Sequence, residues 1–314
     1  MLGSKARKRI VDEVRRVVVK IGTSSICNDA GLPDLAIMRT LASQIAEVKC
    51  DGVAVTLVAS GAIGAGLGEL GLSERPKSLP TLQGVAAVGQ GRLMSLFHDC
   101  FAEYGIKVAQ VLLTRDAFAD RTRYLNIRNT LTALDELNAL AIINENDPVA
   151  VEELRFGDND HLAALVANLI HADLLVLLTV VDGVLSGGKV VDYIEQVNGD
   201  TRALVTADRS KLGTGGMTTK LEAARMMTAA GELAVIANSR EKNILPRLLA
   251  GEQLGTVFIP AERKMSSRRR WIGHATRVTG KVLVDAGAAK ALQQGGKSLL
   301  PSGITAVMGK FAQG

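Results

Sequence analysis

The sequence predicts an α/β fold in which a mainly parallel sheet is covered by helices on both faces. Short apolar runs alternate along the chain with longer stretches that have helical periodicity. The apolar runs are continuous, which indicates strands buried on both faces, and strands separated by helices usually pair in parallel. With 314 residues, of which 47 % are hydrophobic and only 3 % aromatic, the chain can bury a large core of aliphatic side chains.

Seven strands and five helices are predicted from these patterns. Each strand is a short run rich in Val, Ile, Leu or Ala, and each helix is a longer amphipathic stretch. The predicted strands are residues 17–21, 53–59, 108–114, 140–144, 174–179, 234–237 and 256–259. The predicted helices are residues 34–49, 82–103, 125–138, 160–171 and 220–230.

The N-terminal segment is strongly basic. The first 20 residues carry seven basic and two acidic side chains, which accounts for the whole net charge of +5. Residues 1–16 are therefore predicted to form a basic extension exposed to solvent, with contact to a polyanion as the alternative. The acidic pair and the absence of an apolar segment argue against a signal or transit peptide.

Cysteine usage and hydropathy indicate a cytoplasmic protein without a membrane span. The three cysteines are widely separated, which is typical of free thiols in a reducing compartment. The longest apolar run lies around residues 174–181 and is too short to cross a bilayer.

The composition changes after residue 260. Residues 17–262 are predicted to form the main domain, and the polar, basic stretch 263–276 is predicted to be a linker. The last segment, 277–314, has strand, helix and turn signals of its own but too few residues for an independent core.

Polar residues follow four of the predicted strands. Ligands of open parallel sheets bind beyond the carboxyl ends of the strands, so we expect these side chains to converge on one crevice. The strand exits are the carboxyl ends of these strands and the residues that follow them. The residues of interest at the exits are Gly22, Thr23, Ser60, Gly61, Asp147 and Thr179.

Three loops rich in glycine and hydroxyl groups are suited to phosphate, because backbone amides and helix N-termini stabilise phosphate oxygens. Two of them follow the first two strands, and the third is KLGTGGMTTK at residues 211–220. This third loop is not a P-loop, in which lysine directly follows glycine, because Lys220 follows Thr219. It either holds a nucleotide by another arrangement or is a flexible link.

Charged and amide residues near these loops have two interpretations each. Lys20 lies in an otherwise apolar strand, so it either reaches a polar site or extends its ammonium group to solvent from the strand end. Asn159 and Asp160 begin a predicted helix, and they either cap it or belong to the site. In the site, the Asp160 carboxylate would orient lysines and the Asn159 amide would bind substrate. Asp147 precedes a proline and is either a turn residue or the carboxylate for an α-ammonium group.

Several kinds of catalysis receive no support from the sequence. The four histidines lack metal-ligand spacing, and no Ser-His-Asp arrangement is recognisable. No metal site formed directly by protein ligands is predicted. The phosphate-handling loops instead favour phosphoryl transfer by positioning and electrostatic stabilisation.

Eight short motifs in order along the chain resemble those of the glutamate 5-kinases, within the amino acid kinase family. They are VVVKIGTS, VASGAIGAG, AAVGQGRL, LLTRDAF, YLNIRNTL, INENDPVA, FGDND and GTGGMTTK, and the resemblance extends over about residues 17–273. It implies a three-layer αβα sandwich around a mainly parallel sheet.

The resemblance also implies an activity and roles for individual residues. The reaction would be phosphorylation of the side-chain carboxylate of L-glutamate by ATP with Mg²⁺, giving L-glutamyl 5-phosphate for proline biosynthesis. Lys20 and Lys220 would stabilise the transferring phosphoryl group, and Asp160 would hold both lysines. The residues that would bind glutamate are Ser60, Asp147 and Asn159. The residues that would contact ATP are Lys20, Thr179, Thr214, Gly215, Gly216, Met217, Thr218, Thr219 and Lys220, beside the phosphate loops with Gly22, Thr23 and Gly61.

Partners are implied in the same way. The family resemblance implies a homo-oligomer, dimer or tetramer, inhibition by proline at or near the glutamate site, and a functional link to glutamyl-phosphate reductase. The segment 277–314 resembles the first part of a PUA domain, an RNA-binding-type module. The chain departs from the family pattern after the fifth strand, where Val180 stands in place of a frequent Asp and Asp182 is the next carboxylate.

Two alternative functions remain open at this point. A sibling kinase of the same fold would act on another acidic substrate, such as aspartate, N-acetylglutamate or carbamate. An RNA-associated protein would use the basic residues and the PUA-like segment, although the sequence offers no aromatic platform for stacking bases.

Overall fold

The computed structural model describes residues 2–150, 159–198, 201, 216–260, 280–295 and 297–309. These residues belong to two compact units, Met1–Ala275 and Thr276–Gly314. No helix in the described ranges is long and apolar enough to cross a membrane.

An eight-stranded sheet forms the centre of the first unit. Its strands are β1 (Arg16–Ile21), β2 (Ala54–Ala59), β3 (Lys107–Leu113), β4 (Ala139–Glu145), β5 (Leu174–Thr179), β8 (Tyr193–Ile194), β9 (Leu233–Asn238) and β10 (Thr256–Phe258). Their order across the sheet is β3-β4-β2-β1-β5-β9-β10-β8. The strands from β3 to β9 are parallel, whereas β10 runs antiparallel to β9. Two short strands, β6 (Leu185–Ser186) and β7 (Lys189–Val190), form a separate hairpin.

Ten helices of the described residues belong to this unit. They are α1 (Leu2–Glu13), α2 (Thr23–Ile26), α3 (Leu35–Cys50), α4 (Ala62–Glu69), α5 (Leu79–Ala102), α6 (Arg115–Ala119), α7 (Arg121–Glu136), α8 (Asn159–Leu169), α9 (Met217–Ala230) and α10 (Ile244–Leu249). Polar side chains cap the N-termini of several of these helices, because a polar oxygen can accept hydrogen bonds from the amides of the first turn. Asp34 accepts from two amides of α3, Ser78 from one of α5 and Asp120 from one of α7.

The helices form one layer on each face of the sheet. Alternate residues of β1 show this, because successive side chains of a strand point to opposite faces. Val17 and Val19 belong to a core cluster with α3, α5 and α10, whereas Val18 belongs to a second cluster with α7, α8 and α9. The predicted fold class, a three-layer αβα sandwich with a mainly parallel sheet, is confirmed.

All seven predicted strands and all five predicted helices are present, with small differences at their ends. The sequence prediction missed α4, which lies in the segment that was interpreted as a glycine-rich phosphate loop. Its glycines serve packing against α5: a Cβ atom on Gly66 would lie 2.0 Å from the carbonyl oxygen of Val85, and one on Gly89 would lie 1.8 Å from that of Ala62. Only glycine permits so close an approach of two helix backbones.

The prediction of a solvated N-terminal extension is wrong for residues 2–13. These residues form α1, and Ile10 and Arg7 of this helix are buried. The Arg7 guanidinium donates to the carbonyl oxygens of Glu252 and Leu254 at 3.0 and 3.1 Å and pairs with Asp192 at 2.6 Å. Arg7, one of the seven basic side chains, therefore holds α1 to the edge of the sheet near β8 and β10.

The second unit is small in its described part. Strands β11 (Gly280–Val284) and β12 (Ile304–Gly309) pair antiparallel, and helix α11 (Ala286–Gly295) lies between them in the chain. Several of its large apolar side chains are exposed, including Leu300, Val307 and Met308.

Candidate active site

Lys20 is the fifth residue of the six in β1, and its neighbours across the sheet are Val58 of β2 and Leu177 of β5. It lies on the same face of β1 as Val18, which is the face covered by α8 and α9. Only 3 % of the residue is exposed. A buried ammonium group needs a compensating partner, and helix α8 supplies it.

Asp160 in the first turn of α8 binds two lysines that are 200 residues apart in the chain. Its Oδ1 lies 2.7 Å from the Lys20 Nζ, and its Oδ2 lies 3.0 Å from the Lys220 Nζ. Asp160 is 1 % exposed and Lys220 is 6 % exposed, so all three groups are shielded from bulk water. Two ammonium groups and one carboxylate therefore share this buried position.

The ionisation of Asp160 follows from these contacts. Burial alone would raise the pKa of this carboxyl group. The attraction of Lys20 and Lys220, together with hydrogen bonds from Lys20 and Thr219, outweighs burial and lowers the pKa below its usual range. Asp160 is therefore a carboxylate at neutral pH.

The start of α9 brings Lys220 to this position. Gly216 precedes the helix in an extended conformation, and Lys220 lies in its first turn. The Thr219 hydroxyl donates to Asp160 Oδ2 at 2.6 Å and also lies 2.9 Å from the carbonyl oxygen of Gly216. The helix N-terminus thus adds the positive end of its dipole to the cluster formed by Lys20, Asp160 and Lys220.

Asn159 is locked by hydrogen bonds from its amide nitrogen. The Nδ2 atom lies 2.9 Å from Ser60 Oγ, 2.8 Å from Asn144 Oδ1 and 3.3 Å from the carbonyl oxygen of Ala59. These acceptors belong to the exits of β2 and β4. The Asn159 Oδ1 atom is buried and has no partner in the part of the chain that the structure describes, so it can accept a hydrogen bond from a ligand.

Sequence reasoning missed the two residues that orient Asn159. Asn144 accepts from Asn159 through Oδ1 and donates through Nδ2 to Gln90 Oε1 of α5 at 2.8 Å. Both residues are buried, and Gln90 interrupts the apolar side of a helix. A buried amide on an apolar helix face was the available signal, because such a group needs a hydrogen-bond partner.

Asp147 lies beyond β4, in a 3₁₀ turn at Asp147–Val149. Gln83 of α5 fixes the turn by donating to the carbonyl oxygens of Asp147 and Ala150, both at 3.1 Å. Burial raises the pKa of the Asp147 carboxyl group to about 6, against the attraction of Arg75. No hydrogen bond or ion pair within the described ranges joins its carboxylate to the two lysines.

The exits of β1 and β2 lie next to each other at this edge. The Ser60 amide donates to the carbonyl oxygen of Ile21 at 3.1 Å. A Cβ atom on Gly22 would lie 3.3 Å from the Lys20 Nζ, so glycine keeps the surroundings of this ammonium group open. Thr23 begins α2, and Gly61 precedes α4 with a φ of +114°, which favours glycine.

The remaining predicted ATP-binding residues are partly described. Thr179 ends β5 and pairs in register with Asn238 of β9. Gly216 precedes α9, in which Met217, Thr218 and Thr219 form most of the first turn. The predicted positions Thr214 and Gly215 lie outside the described residues.

These features first define a class of protein, an α/β sandwich whose parallel strands end at a buried cluster of two lysines and one carboxylate. The family follows from comparison. A family model described as "Amino acid kinase family" matches residues 15–238, and a model of the PUA domain matches residues 280–314. The chain belongs to the amino acid kinase family, and the resemblance found in the motifs is confirmed.

Two relatives with high sequence similarity are both named glutamate 5-kinase. A glutamate 5-kinase from Caldanaerobacter subterraneus subsp. tengcongensis is 47 % identical over 306 residues, which cover 95 % of this chain and 82 % of the relative. A glutamate 5-kinase from Moorella thermoacetica is 46 % identical over 311 residues, covering 97 % of this chain and 82 % of the relative.

The fold also has a counterpart among solved structures. A carbamate kinase from Giardia lamblia bound to AMP-PNP superposes with a TM-score of 0.59 and 17 % identity, covering 79 % of this chain and 99 % of that chain. At this identity the likeness concerns the fold alone.

Proposed function

We propose that this protein transfers the γ-phosphoryl group of ATP to the side-chain carboxylate of L-glutamate. The product, L-glutamyl 5-phosphate, is the first intermediate of proline biosynthesis. The observation that carries the proposal is the Lys20–Asp160–Lys220 cluster at the carboxyl edge of the sheet. The high identity to several glutamate 5-kinases supports the choice of glutamate among acidic substrates.

The chemistry requires charge neutralisation more than proton transfer. The attacking carboxylate is already ionised at neutral pH, so no general base is needed. The approach of this carboxylate to the γ-phosphate brings two anions together. The negative charge already present and the charge that develops in the transition state must both be offset. Lys20 and Lys220 provide two ammonium groups, and Asp160 holds them in one place so that little reorganisation is needed during the reaction.

Glutamate is proposed to bind between the exits of β2 and β4. Asn159 Oδ1, the buried acceptor without a partner among the described residues, is suited to the α-ammonium group of the substrate. The Asp147 carboxylate supplies the opposite charge for the ammonium group. Ser60 presents a hydroxyl group whose position is fixed by Asn159 Nδ2.

ATP is proposed to lie along the exits of β1 and β5, with its phosphates at the start of α9. The N-terminus of α9, the positive end of the helix dipole, and the open space at Gly22 suit phosphate oxygens. Mg²⁺ would be held by the phosphates, because the central carboxylate, Asp160, already binds two ammonium groups. When bound, the ion would offset part of the negative charge of the phosphates.

Other implications of the family stay predictions. These are a dimer or tetramer, inhibition by proline and the link to glutamyl-phosphate reductase. Each can be examined separately from the kinase activity.

The test is formation of an acyl phosphate. Purified protein with ATP, Mg²⁺ and glutamate should yield a product that hydroxylamine traps as a hydroxamate. Aspartate, N-acetylglutamate and carbamate serve as competing substrates in the same assay. Folded protein that gives no hydroxamate with glutamate, or prefers another of these substrates, would contradict the proposal.

A further inference from the structure

Helix α5 carries one of the eight sequence motifs, and the proposed reaction does not use it. The motif is AAVGQGRL at residues 86–93, and its buried polar residue is Gln90, which is 8 % exposed. The preceding residue, Gly89, lets α5 approach α4 so closely that a Cβ atom there would lie 1.8 Å from the carbonyl oxygen of Ala62. This close packing fixes the helix that carries the Gln90 amide.

Gln90 is the first member of a chain of three buried amides. Its Oε1 accepts from Asn144 Nδ2 at 2.8 Å, and Asn144 Oδ1 accepts from Asn159 Nδ2 at 2.8 Å. Asn144 and Asn159 are 4 % and 3 % exposed, so bulk water competes little for these hydrogen bonds. The chain ends at Asn159 Oδ1, the buried acceptor without a partner among the described residues.

The direction of each amide in this chain follows from its partners, because an amide oxygen only accepts hydrogen bonds and an amide nitrogen only donates them. Asn144 Oδ1 receives two donors, Asn159 Nδ2 and the backbone amide of Glu145, the latter at 2.9 Å. The Asn144 nitrogen donates to Gln90 Oε1. Both ends of the Asn144 amide are thus used, and Asn159 is held with its nitrogen towards Asn144 and its oxygen available to a ligand.

Loss of the Gln90 oxygen would disturb this arrangement. Asn144 Nδ2 would be a buried donor without an acceptor in the part of the chain that the structure describes, which is costly. The Asn144 side chain would relieve this cost by turning towards another acceptor, and turning takes Oδ1 away from Asn159. Asn159 would then be free to rotate its amide and place a donor where the ligand now meets an acceptor.

A second glutamine of α5 contacts the same region. Gln83 lies seven residues before Gln90, which is about two helical turns, so both side chains lie on one face of α5. Gln83 Nε2 donates to the carbonyl oxygens of Asp147 and Ala150, both at 3.1 Å. One helix face therefore supports both places at which the α-ammonium group is proposed to bind, the turn with Asp147 and the amide chain that ends at Asn159.

We propose that Gln90 is a positioning residue for substrate recognition. Acting through Asn144, it keeps Asn159 Oδ1 directed at the α-ammonium group and so favours an amino acid over a dicarboxylic acid that lacks this group. This inference rests on the proposed function for the identity of the substrate.

The test compares L-glutamate with glutarate, which has both carboxylates but no α-ammonium group. Calorimetry with Mg²⁺ and a non-hydrolysable ATP analogue present gives the Kd of each compound, and hydroxamate formation gives kcat and both KM values. Gln90→Met keeps the length of the side chain but removes the amide oxygen, whereas Gln90→Glu keeps an oxygen that accepts from Asn144.

Gln44→Met is the matched control. Gln44 is also a buried helical glutamine, 4 % exposed, and its Oε1 accepts from the backbone amide of Leu245 at 3.0 Å. This hydrogen bond joins α3 to α10 and does not involve the amide chain. The control therefore removes a buried amide acceptor of the same kind from another part of the fold.

The wild type should bind L-glutamate more tightly than glutarate by about tenfold or more, the range of a hydrogen bond to a charged group. Gln90→Met should reduce this preference about five- to tenfold, raise the KM for glutamate by a similar factor and leave the KM for ATP unchanged. Gln90→Glu and Gln44→Met should keep the preference within about twofold of the wild type. Gln90→Leu repeats the comparison with a second apolar side chain should Gln90→Met fail to fold.

Three results would overturn the inference. They are an unchanged preference in folded Gln90→Met or Gln90→Leu, an equal loss of preference in Gln44→Met, and a Gln90→Glu variant that loses the preference as fully as Gln90→Met. A wild type that prefers L-glutamate while the Gln90 variants are unchanged contradicts this inference alone. A wild type that binds neither compound contradicts the proposed function and the inference together.

Discussion

Replacing Asp160 by asparagine should disrupt both the stability and the activity of this protein. The change leaves two buried ammonium groups without the carboxylate that lies 2.7 and 3.0 Å from them. Breaking one buried ion pair costs about 3–5 kcal/mol, because the remaining charge stays unpaired. The two pairs share one carboxylate and the lysines can lose a proton or move towards water, so we expect a total of about 3–5 kcal/mol rather than twice that.

The assay is thermal unfolding followed by circular dichroism, together with hydroxamate formation. A loss of about 3–5 kcal/mol should lower the Tm by roughly 10 °C in a protein of this size. The kcat should fall about 100-fold or more, because the lysines lose their fixed position at the phosphoryl group. Asp135→Asn is the control: it removes a 3.0 Å pair with Arg16 whose side chains are 40 % and 37 % exposed, and it should cost at most about 1 kcal/mol.

The pH dependence gives a second readout of the same variant. The pKa of Asp160 is lowered in the folded state, so its contribution to stability is complete above the unfolded pKa of about 3.9 and is lost as the pH falls through the folded pKa. The difference in unfolding free energy between wild type and Asp160→Asn should shrink in acid, as the pH falls below about 4. Equal effects of Asp160→Asn and Asp135→Asn at neutral pH would refute the reasoning.

Three other predictions concern catalysis, substrate binding and packing. Lys220→Ala should lower kcat about 100-fold or more with little change in either KM, and an effect confined to KM would contradict its role at the transition state. The KM for glutamate should rise as the pH falls through about 6, because the raised pKa of Asp147 removes the carboxylate there; Asp147→Asn should have a high KM that does not change over this range. Gly66→Ala should cost about 1–3 kcal/mol in chemical denaturation, since its Cβ atom would meet the Val85 carbonyl oxygen at 2.0 Å, whereas Gly84→Ala, with open space around the new atom, should be neutral or stabilising.

The sheet and its site edge were predictable because their signals are local. Continuous apolar runs define β1, β2, β4, β5 and β9, and burial on both faces follows from the runs themselves. Lys20 was conspicuous as a charge within such a run, and the exits of parallel strands necessarily share one edge. The structure places Lys20, Asp160 and Lys220 in contact there, while their catalytic roles stay predictions.

What the sequence could not provide depends on contacts between distant segments. Arg7 was interpreted as a solvated charge, but its partners are backbone carbonyl groups about 245 residues further on, as in its bond to Glu252. The glycine-rich pattern that includes Gly66 indicates a phosphate loop, but in the structure α4 and α5 pack so closely that only glycine fits at this position. The amide chain from Gln90 through Asn144 to Asn159 likewise exists only once α5, β4 and α8 are assembled.

The central claim is that two lysines from separate segments contact one transferring phosphoryl group. A crystal structure of the complex with a non-hydrolysable ATP analogue, Mg²⁺ and glutamate tests it most directly. The account predicts that the Nζ atoms of Lys20 and Lys220 both lie about 2.7–2.9 Å from oxygens of the γ-phosphate or of the glutamate side chain. A γ-phosphate bound elsewhere, or only one of the two ammonium groups within reach of it, would contradict the account.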